Sequence, residues 1–489
     1  MRVAIFVPFY TFVLLGDSEV AEGSVWEALE LASYYKLNNL VAILDCNRLG
    51  QADVTMLAHD YERYVERFAA FGWRTILVDG HDIEALMYAF DMARMPGEQP
   101  VMVIAKTFKG YGVARAEDKE GFHGRPFKKD ELPIVLKELH ERFAAAADYT
   151  GDYTFKPTIP SALPAQQICS AVALTKPTYE KGTKIATRKA YGQALVALGQ
   201  ACAQAVVLDA EVKNSTFTEL FEKQYPQRFV ECFIAEQNMV GVAVGLASRG
   251  KLACAATFGA FFARAFDQLR MAAIGRVPLR LAGSHAGVSI GEDGPSQMAL
   301  EDIAIMRTLP NSVVVYPSDA VSAYALVEQT AQYNAGISYI RTTRADTEVI
   351  YSVDEQFPLG GCKIIHQSAQ DRAVVVAAGI TLHEARKAYA TLQQEGIFIS
   401  VVDLYSIKPL DQATLKAAAK KAGNTIIIVE DHYREGGIAQ AVMAALCNDA
   451  ITFVSLAVTE LPRSGKPEEL LAMMQIDASA IIRAVKEVR

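Results

Sequence analysis

The sequence lacks paired cysteines, long uninterrupted apolar runs and an excess of positive charge. Its seven cysteines are dispersed, odd in number and form no C-x-x-C pair, which indicates neither a disulfide framework nor a zinc site. The apolar stretch from Val3 to Leu15 is interrupted by Pro8 and is too short to span a bilayer. The following Gly16-Asp17-Ser18-Glu19 offers no small-x-small cleavage site of a signal peptide. These absences favour a cytoplasmic protein without a membrane partner.

The acidic charge balance argues against a nucleic-acid partner. The 56 acidic residues outnumber the 48 Lys and Arg residues, giving a net charge of -8, whereas nucleic-acid binders carry basic surfaces. Anionic substrates would therefore need local basic pockets. Hydrophobic residues make up 51% and charged residues 21%, as in ordinary globular proteins. A chain of 489 residues exceeds a single hydrophobic core, so several domains are expected.

Short apolar runs alternate with longer helical patterns, which predicts an α/β fold with mainly parallel sheets. An aperiodic segment rich in Pro, Thr, Ala and Gln predicts a linker at 149–183. The remaining sequence forms three expected α/β domains, at 1–148, 184–351 and 352–489. The predicted strands are Thr11–Leu15, Leu40–Leu44, Thr75–Val78, Val101–Ala105, Ala205–Leu208, Leu252–Ala255, Leu279–Gly283, Val313–Tyr316, Ile337–Arg341, Ala373–Ala377, Ile397–Asp403, Thr425–Glu430 and Ile451–Ala457.

Polar residues follow two predicted strands of the first domain. Asp17 follows the first strand and Asn47 the second, and ligands gather at the carboxyl ends of parallel strands. A carboxylate, an amide oxygen and a backbone carbonyl suit Mg²⁺ or Ca²⁺, which take diphosphate oxygens as further ligands. Spacing alone leaves open that both are turn residues at strand ends.

The stretch GDSEVAEGSVWEALELASYYKLNNLVAILDCNRLGQ resembles the thiamine diphosphate signature of the transketolase family, which opens on Gly-Asp-Gly and closes on Asn-Asn. Ser18 replaces the second glycine and Cys46 the first asparagine. Neither departure removes a metal ligand. The resemblance implies Asp17, Asn47 and the Leu49 carbonyl as ligands of Mg²⁺, and the backbone of Gly16 and Ser18 as contacts of the diphosphate.

A second stretch, FKGYGVARAEDKEGFHGRPF, is similar to the family's loop that brings a lysine and a histidine to the active site. The resemblance implies that Lys109 contacts the diphosphate and that His123 is catalytic, near the thiazolium ring and substrate. A lysine is a suitable point charge for phosphate, and histidine can move protons near neutral pH. Without the resemblance, both would be read as ordinary loop residues.

The run IAEQNM carries Glu236 and matches the family motif without a gap. The resemblance implies that this catalytic carboxyl group binds the aminopyrimidine ring nitrogen and favours the imino tautomer, which deprotonates the thiazolium carbon. Burial among apolar neighbours would keep the carboxyl group protonated, because burial disfavours its charged form. The alternative from the residues alone is a carboxylate placed at a helix N-terminus by the helix dipole.

Three further segments of the second domain are similar to cofactor- and substrate-binding parts of the family. TFGAFF resembles the aminopyrimidine platform, with Phe261 as the first candidate for ring stacking and Phe258 as the second. GSHAGVSIGEDGPSQ places Gln297 between cofactor and substrate. Arginine forks match phosphate geometry. The residues implied to bind a sugar phosphate are Arg188, Ser215, His285, Asp293 and Arg344, with Arg341 as a confusable neighbour of the last.

The third domain resembles the transketolase C-terminal domain and ends with LPRSGKPEELLAMMQID. In the family this domain supports the dimer, so no catalytic residue is assigned to it. The segments Asp431-His432-Tyr433 and Gly436-Gly437 are interpreted as a strand-end loop.

The resemblance implies a transketolase of the pentose phosphate pathway. Such an enzyme cleaves a ketose phosphate, holds a two-carbon ketol unit as a thiamine-diphosphate carbanion and passes it to an aldose phosphate. The family works as a homodimer with Mg²⁺. A sister enzyme that makes 1-deoxyxylulose 5-phosphate shares the chemistry, but the uninterrupted IAEQNM and GSHAGVSIGEDGPSQ runs favour transketolase.

A hypothesis from another class comes from the place of the first motif, which begins at Gly16. Transketolases carry a long segment before it that supplies histidines and diphosphate contacts. The diphosphate-binding domain is thus expected to lack its N-terminal part. Three readings follow: a complementary N-terminal chain completes a split enzyme, the sequence is a truncated gene product, or the protein is a catalytically silent relative that binds partners.

Overall fold

The computed structural model describes residues 9–143 and 172–488. It divides into two compact units, residues 1–162 and 163–489. Helices cover sheets that are mostly parallel, so the predicted α/β class is confirmed. The finer division into three domains stays a prediction, and residues 149–171 of the predicted linker lie outside the described residues. No helix within the described ranges is long and apolar enough to cross a membrane.

A four-stranded parallel sheet with the order β1-β2-β4-β3 forms the first unit. It contains all four strands predicted for this part of the chain. Its strands are β1 (Thr11–Gly16), β2 (Leu40–Cys46), β3 (Arg74–Asp79) and β4 (Val101–Lys106). Its helices are α1 (Gly23–Tyr34), α2 (Tyr61–Ala70), α3 (Ile83–Ala93) and α4 (Leu132–Arg142).

Local sequence explains where these elements lie. β4 reads VMVIA and is buried along that run, as expected of a central parallel strand covered on both faces. The carboxylates of Asp60 and Asp82 accept hydrogen bonds from the first turns of α2 and α3, which satisfies backbone N–H groups that a helix start leaves unpaired. Trp26 of α1 stacks on Phe68 of α2 with a centroid distance of 5.6 Å. This packing closes the core beside β2 and β4.

The second unit contains a seven-stranded sheet of order β16-β10-β11-β9-β8-β6-β7, a five-stranded sheet of order β13-β15-β14-β17-β18, and the antiparallel pair β5-β12. Every strand predicted in this part is present. The strands are β5 (Lys184–Ala186), β6 (Ala205–Asp209), β7 (Phe229–Glu231), β8 (Leu252–Phe258), β9 (Arg280–Ser284), β10 (Val313–Val315), β11 (Ser338–Arg341), β12 (Asp346–Glu348), β13 (Lys363–His366), β14 (Val374–Ala377), β15 (Ser400–Asp403), β16 (Ser406–Lys408), β17 (Thr425–Tyr433) and β18 (Thr452–Val458).

Helices flank both sheets of this unit. The interior strands are fully buried, β6, β9 and β14 among them, because helices cover their two faces. The helices are α5 (Thr187–Ala201), α6 (Lys213–Thr216), α7 (Glu219–Gln224), α8 (Glu236–Ser248), α9 (Phe266–Ile274), α10 (Asp302–Thr308), α11 (Ala320–Gln332), α12 (Ile380–Gln394), α13 (Gln412–Lys421), α14 (Ile438–Ala445), α15 (Pro467–Met473) and α16 (Ala478–Glu487).

Strand β16 links the C-terminal part of the chain to the seven-stranded sheet. β16 belongs to the part of the chain expected to form the third domain, yet it pairs antiparallel with β10 of the seven-stranded sheet. Its neighbour Tyr405 also accepts the Tyr316 backbone N–H at 2.8 Å. This pairing explains why residues 163–489 form one compact unit.

One cysteine differs from the sequence expectation. Cys202 takes part in a disulfide bond, which the dispersed cysteines did not predict, because spacing along the chain does not show which sulfur atoms meet in space. The described free thiols are Cys46, Cys232, Cys254, Cys362 and Cys447.

A buried ion pair predicts a large effect on stability. Arg341 and Asp302 are both fully buried, with Nε and Oδ2 2.9 Å apart. Arg341→Leu would leave Asp302 as an uncompensated buried charge and lower the free energy of unfolding by about 3–5 kcal/mol. The matched change Arg270→Leu breaks an exposed pair with Asp267 and should cost less than about 1 kcal/mol. Denaturant unfolding of both variants measures the difference, and equal losses would contradict the assignment.

Candidate active site

The three predicted metal ligands lie together at the carboxyl edge of the first sheet. Asp17 follows β1, and its carboxylate accepts hydrogen bonds from the Arg48 backbone N–H at 2.7 Å and the Thr55 hydroxyl at 3.1 Å. Asn47 follows β2, and its side-chain oxygen accepts the Leu49 N–H at 3.2 Å. Asp17, Asn47 and Leu49 are all buried. Rigid strand ends thus hold a carboxylate, an amide oxygen and a backbone carbonyl beside one another.

This oxygen set fits a hard cation. Burial raises the pKa of the Asp17 carboxyl group, although the hydrogen bonds from Arg48 and Thr55 lower it. A cation beside Asp17 would favour the charged carboxylate, and Mg²⁺ and Ca²⁺ prefer oxygen ligands. The identity of a metal at this edge stays a prediction.

Lys109 and His123 reach the same edge through the loop after β4. The Lys109 ammonium donates to the Leu49 carbonyl at 2.6 Å and lies 3.3 Å from Nδ1 of His123. A cationic group therefore faces the carbonyl oxygen that is assigned to the metal. The Arg48 guanidinium also binds the carboxylate and carbonyl of Asp118, which ties this loop to the turn after β2.

The predicted diphosphate contacts are Gly16, the last residue of β1, and Ser18, in the turn that follows. The Gly16 N–H donates to the Glu19 carboxylate at 2.6 Å, so this amide already faces a negatively charged group. Successive turn amides are typical binding groups for anions. Ser18 is exposed and precedes the short 3-10 helix Glu19–Ala21. Both residues are thus placed at the edge that carries the predicted metal ligands.

His81 is a site residue that sequence reasoning missed. It follows β3, its Nε2 accepts the Phe108 backbone N–H at 2.8 Å, and its ring stacks on Tyr111 at a centroid distance of 3.6 Å. Because Phe108 immediately precedes Lys109, His81 fixes the start of the lysine loop. His81, Asn47 and Lys109 line one cleft of about 450 Å³. The strand-end rule that selected the metal ligands would also have selected His81.

In the second unit, Glu236 is the first residue of α8. Its side chain is 6% exposed, and its Oε2 lies 3.6 Å from the Arg264 guanidinium. This buried oxygen has no hydrogen-bond partner among the described residues. Buried polar atoms are rarely left unpaired, because the loss of hydration is costly. A ligand group would satisfy Oε2, which fits the predicted contact with the aminopyrimidine ring.

Phe258, Phe261 and His285 form a stack of nearly parallel rings. Phe258 lies 5.0 Å from Phe261 and 4.0 Å from His285, measured between ring centroids. The parallel register of β8 and β9 places Phe258 opposite Ser284, which explains why His285 is next to it. The stack offers an aromatic surface on which a flat ring can pack. The predicted cofactor platform and the predicted substrate histidine are thus neighbours.

The predicted substrate residues meet around two arginines. Arg188 of α5 donates to the Ser215 carbonyl at 2.7 Å and to the Arg344 carbonyl at 3.3 Å. The Arg344 guanidinium lies 3.5 Å from Oδ1 of Asp293. Burial, and next the charge of Arg344, lower the pKa of Arg188, so an anion between the guanidinium groups would be favoured. Arg344 also lies 3.5 Å from the Glu292 carboxylate, so a basic pocket for an anionic substrate at this place stays a prediction.

Gln297 and Arg341 make other contacts than the predicted substrate residues. The Gln297 side-chain oxygen accepts a hydrogen bond from Ser296 at 2.5 Å, and its position between cofactor and substrate stays a prediction. Arg341 is fully buried against Asp302. It therefore does not belong to the basic pocket, which leaves Arg344 as the predicted phosphate contact.

Family models and relatives identify the family of the chain. The models for the transketolase thiamine diphosphate binding domain, pyrimidine binding domain and C-terminal domain match residues 4–183, 183–349 and 361–481. Transketolase-like protein 2 of Mus musculus is 52% identical over 481 residues, which cover 98% of this chain and 76% of that protein. The chain belongs to the transketolase family.

Further transketolases are similar to this chain in sequence or in structure. Transketolase of Mus musculus is 49% identical, with the same coverage of 98% and 76%. A Campylobacter jejuni transketolase structure has a TM-score of 0.81 at 20% identity, covering 98% of this chain and 77% of that chain, which supports the fold. The solved "split gene transketolase, inactive beta4 tetramer" has a TM-score of 0.58 at 37% identity and covers 62% of this chain and 98% of its own.

The surroundings of His285 predict its protonation state. Burial, followed by the charges of Arg188 and Arg344, lowers the pKa of His285 to about 3. We expect its ring to stay neutral between about pH 5 and 8, where an ordinary histidine titrates. NMR of ¹³C-histidine-labelled protein should show no titration of the signal that disappears in His285→Asn. A midpoint near pH 6.5 for that signal would contradict the expected environment.

Proposed function

We propose that this protein transfers a two-carbon ketol unit from a ketose phosphate to an aldose phosphate with thiamine diphosphate and Mg²⁺. The observation that carries the proposal is the buried Oε2 of Glu236, which accepts no hydrogen bond from the described residues, within a unit that also holds the aromatic stack and the two guanidinium groups of Arg188 and Arg344. Membership of the transketolase family supports the reaction class.

The first unit would bind two groups, the metal ion and the diphosphate. Asp17, Asn47 and the Leu49 carbonyl would hold Mg²⁺, with Ca²⁺ as a second candidate, since all three supply oxygen atoms. The Lys109 ammonium and the backbone of the turn after β1 would hold the diphosphate. When bound, thiamine diphosphate supplies the electron sink for cleavage of a carbon–carbon bond.

The second unit would orient the cofactor ring and the substrate. Glu236 would hydrogen-bond to the aminopyrimidine ring nitrogen and exchange a proton with it, and the Phe258–Phe261 pair would pack against that ring. Arg188 and Arg344 bind the sugar phosphate, with Ser215 beside them. The neutral ring of His285 can donate or accept a hydrogen bond.

The remaining assignments concern the sugar chain and proton movement. Asp293 lies beside Arg344 and would accept a hydrogen bond from a sugar hydroxyl group. Gln297 would lie between cofactor and substrate. His123, held near the Lys109 ammonium, would move protons at the reacting oxygen. A homodimer is part of this proposal, and sedimentation equilibrium tests it.

The first test removes the proposed proton-exchanging group. Glu236→Gln keeps the size of the side chain but cannot exchange a proton, so kcat for ketol transfer should fall about 10²–10⁴-fold. Cofactor affinity, measured by calorimetric titration with Mg²⁺ present, should change much less.

Glu219→Gln is the matched control, because Glu219 is paired with Lys223 at the surface of α7. It should leave kcat at the wild-type value. Full turnover by Glu236→Gln would contradict the proposed role of this carboxyl group.

A product assay separates the sister activity. With pyruvate and glyceraldehyde 3-phosphate, a 1-deoxyxylulose-5-phosphate synthase forms product, whereas a transketolase requires a ketose phosphate donor. We expect turnover only with the ketose phosphate. Turnover with pyruvate alone as donor would replace the ketol-transfer proposal.

A second candidate function is that of one chain in a split enzyme, or of a silent relative that binds a partner. The observation that favours it is the outer edge of the first sheet. β1 lies at that edge, and Phe12 and Leu14 are 48% and 69% exposed, which is unusual for a parallel sheet. The similarity to an inactive split-gene transketolase chain also favours this candidate.

Cofactor titration separates this candidate from the first. If a complementary N-terminal chain is needed, this chain alone should bind thiamine diphosphate weakly in the presence of Mg²⁺ and show little ketol transfer. Isothermal titration calorimetry and a coupled assay measure both quantities. Submicromolar binding with full turnover would exclude the split and silent alternatives.

A further inference from the structure

A buried carboxylate from β17 supports the loop at residues 284–298. Asp431 is 1% exposed, and its Oδ1 accepts the Val288 backbone N–H at 2.7 Å. The interpretation of Asp431-His432-Tyr433 as a strand-end loop without a functional role is wrong about the local structure, because all three residues belong to β17. The contact spans 143 positions in sequence, so it joins the five-stranded sheet directly to the loop that carries His285 and Asp293.

The loop backbone is shaped around this carboxylate. Gly287 has a φ of 95°, and a Cβ atom there would lie 2.0 Å from Oδ2 of Asp431. A side chain at this position would be strained by both the backbone conformation and the contact. The Gly287 N–H also donates to the Met298 carbonyl at 2.6 Å. The carboxylate therefore lies where the beginning and end of the loop come together.

The backbone of Asp431 is held in turn by Arg341. Arg341 donates to the Asp431 backbone carbonyl at 2.8 Å and to the Ala299 carbonyl at 3.2 Å, while its Nε pairs with Asp302. Because Arg341 ends β11 and Arg344 follows three residues later, one buried cluster fixes the carboxylate, the end of the loop and the strand that leads to the basic pocket.

We propose that Asp431 is a positioning residue that sets the placement of His285 and Asp293, and with it the affinity for the phosphorylated substrate. The proposal rests on the proposed function for its kinetic consequence, but not for the loop geometry. A hydrogen bond to a buried carboxyl oxygen has a well-defined length and direction. Removing it should loosen the loop on one side of the basic pocket.

Glu430 provides a matched control on the same strand. It is also fully buried, and its carboxylate accepts N–H groups at the start of α14, including Ala439 at 3.1 Å. It therefore supports a helix and not the loop. Glu430→Ala should lower stability without moving His285 or Asp293.

The experiment combines amide hydrogen exchange with kinetics of the full chain under the conditions of the wild-type assay. Asp431→Ala should speed exchange at residues 286–298 and raise KM for the aldose phosphate about tenfold, the usual order when a buried N–H group loses its acceptor. The KM for the same aldose without its phosphate should change less. Asp431→Asn keeps an acceptor oxygen and should recover most of both effects.

Two results would overturn the proposal. One is unchanged exchange at residues 286–298 in Asp431→Ala. The other is an equal rise of KM in Glu430→Ala, which would show a general loss of stability. If the wild-type chain performs no ketol transfer, the proposed function fails, and the exchange comparison between the two alanine variants still decides whether Asp431 positions the loop.

Discussion

Parallel strand pairing is the constraint on which the candidate site depends. Parallel strands end at the same edge of a sheet, so residues far apart in sequence meet there. In the first unit, Asp17, Asn47 and Lys109 follow β1, β2 and β4, which are neighbours in the sheet. In the second unit, adjacent β8 and β9 bring Phe258 beside His285. The direction and order of the strands thus bring the side chains of the candidate site together.

Buried charge is the second organising feature. Charged groups in a dry interior are tolerated only with close partners, and Arg341 has Asp302 and two backbone carbonyls. These contacts join the seven-stranded sheet to β17 of the five-stranded sheet. Together with the β10–β16 pairing, they make the C-terminal part of the chain a structural support of the loop at residues 284–298. We infer that the C-terminal part holds the loop in place without contributing a catalytic residue. The sequence had led us to expect only a role in supporting a dimer.

Sequence reasoning predicted the α/β class and the longer strands, because these are continuous apolar runs such as VMVIA in β4. It missed β5, β7, β12, β13 and β16, which have three or four residues each and are too short for a periodic pattern. The β10–β16 pairing could not be predicted either, since nothing local links Val315 to Ser406. For the site, the motifs selected residues that the structure brings together within each unit. The supporting contacts were invisible, because Asp431 meets Val288 only in the folded chain.

His81 shows a different kind of omission. It follows a correctly predicted strand, so the signal was present, but the family motifs did not include it. The structure shows that His81 supports the lysine loop, because its ring accepts a hydrogen bond from the Phe108 backbone N–H. The roles assigned to individual residues rest on the resemblance and on fit, and a bound cofactor tests them together.

A crystal structure of the chain with thiamine diphosphate and Mg²⁺ tests this account most directly. We expect a metal ion bound by Asp17, Asn47 and the Leu49 carbonyl, and a Glu236 carboxyl group within hydrogen-bonding distance of the aminopyrimidine ring. A diphosphate bound away from the carboxyl edge of the first sheet, or a cofactor ring that does not contact Glu236, would contradict it.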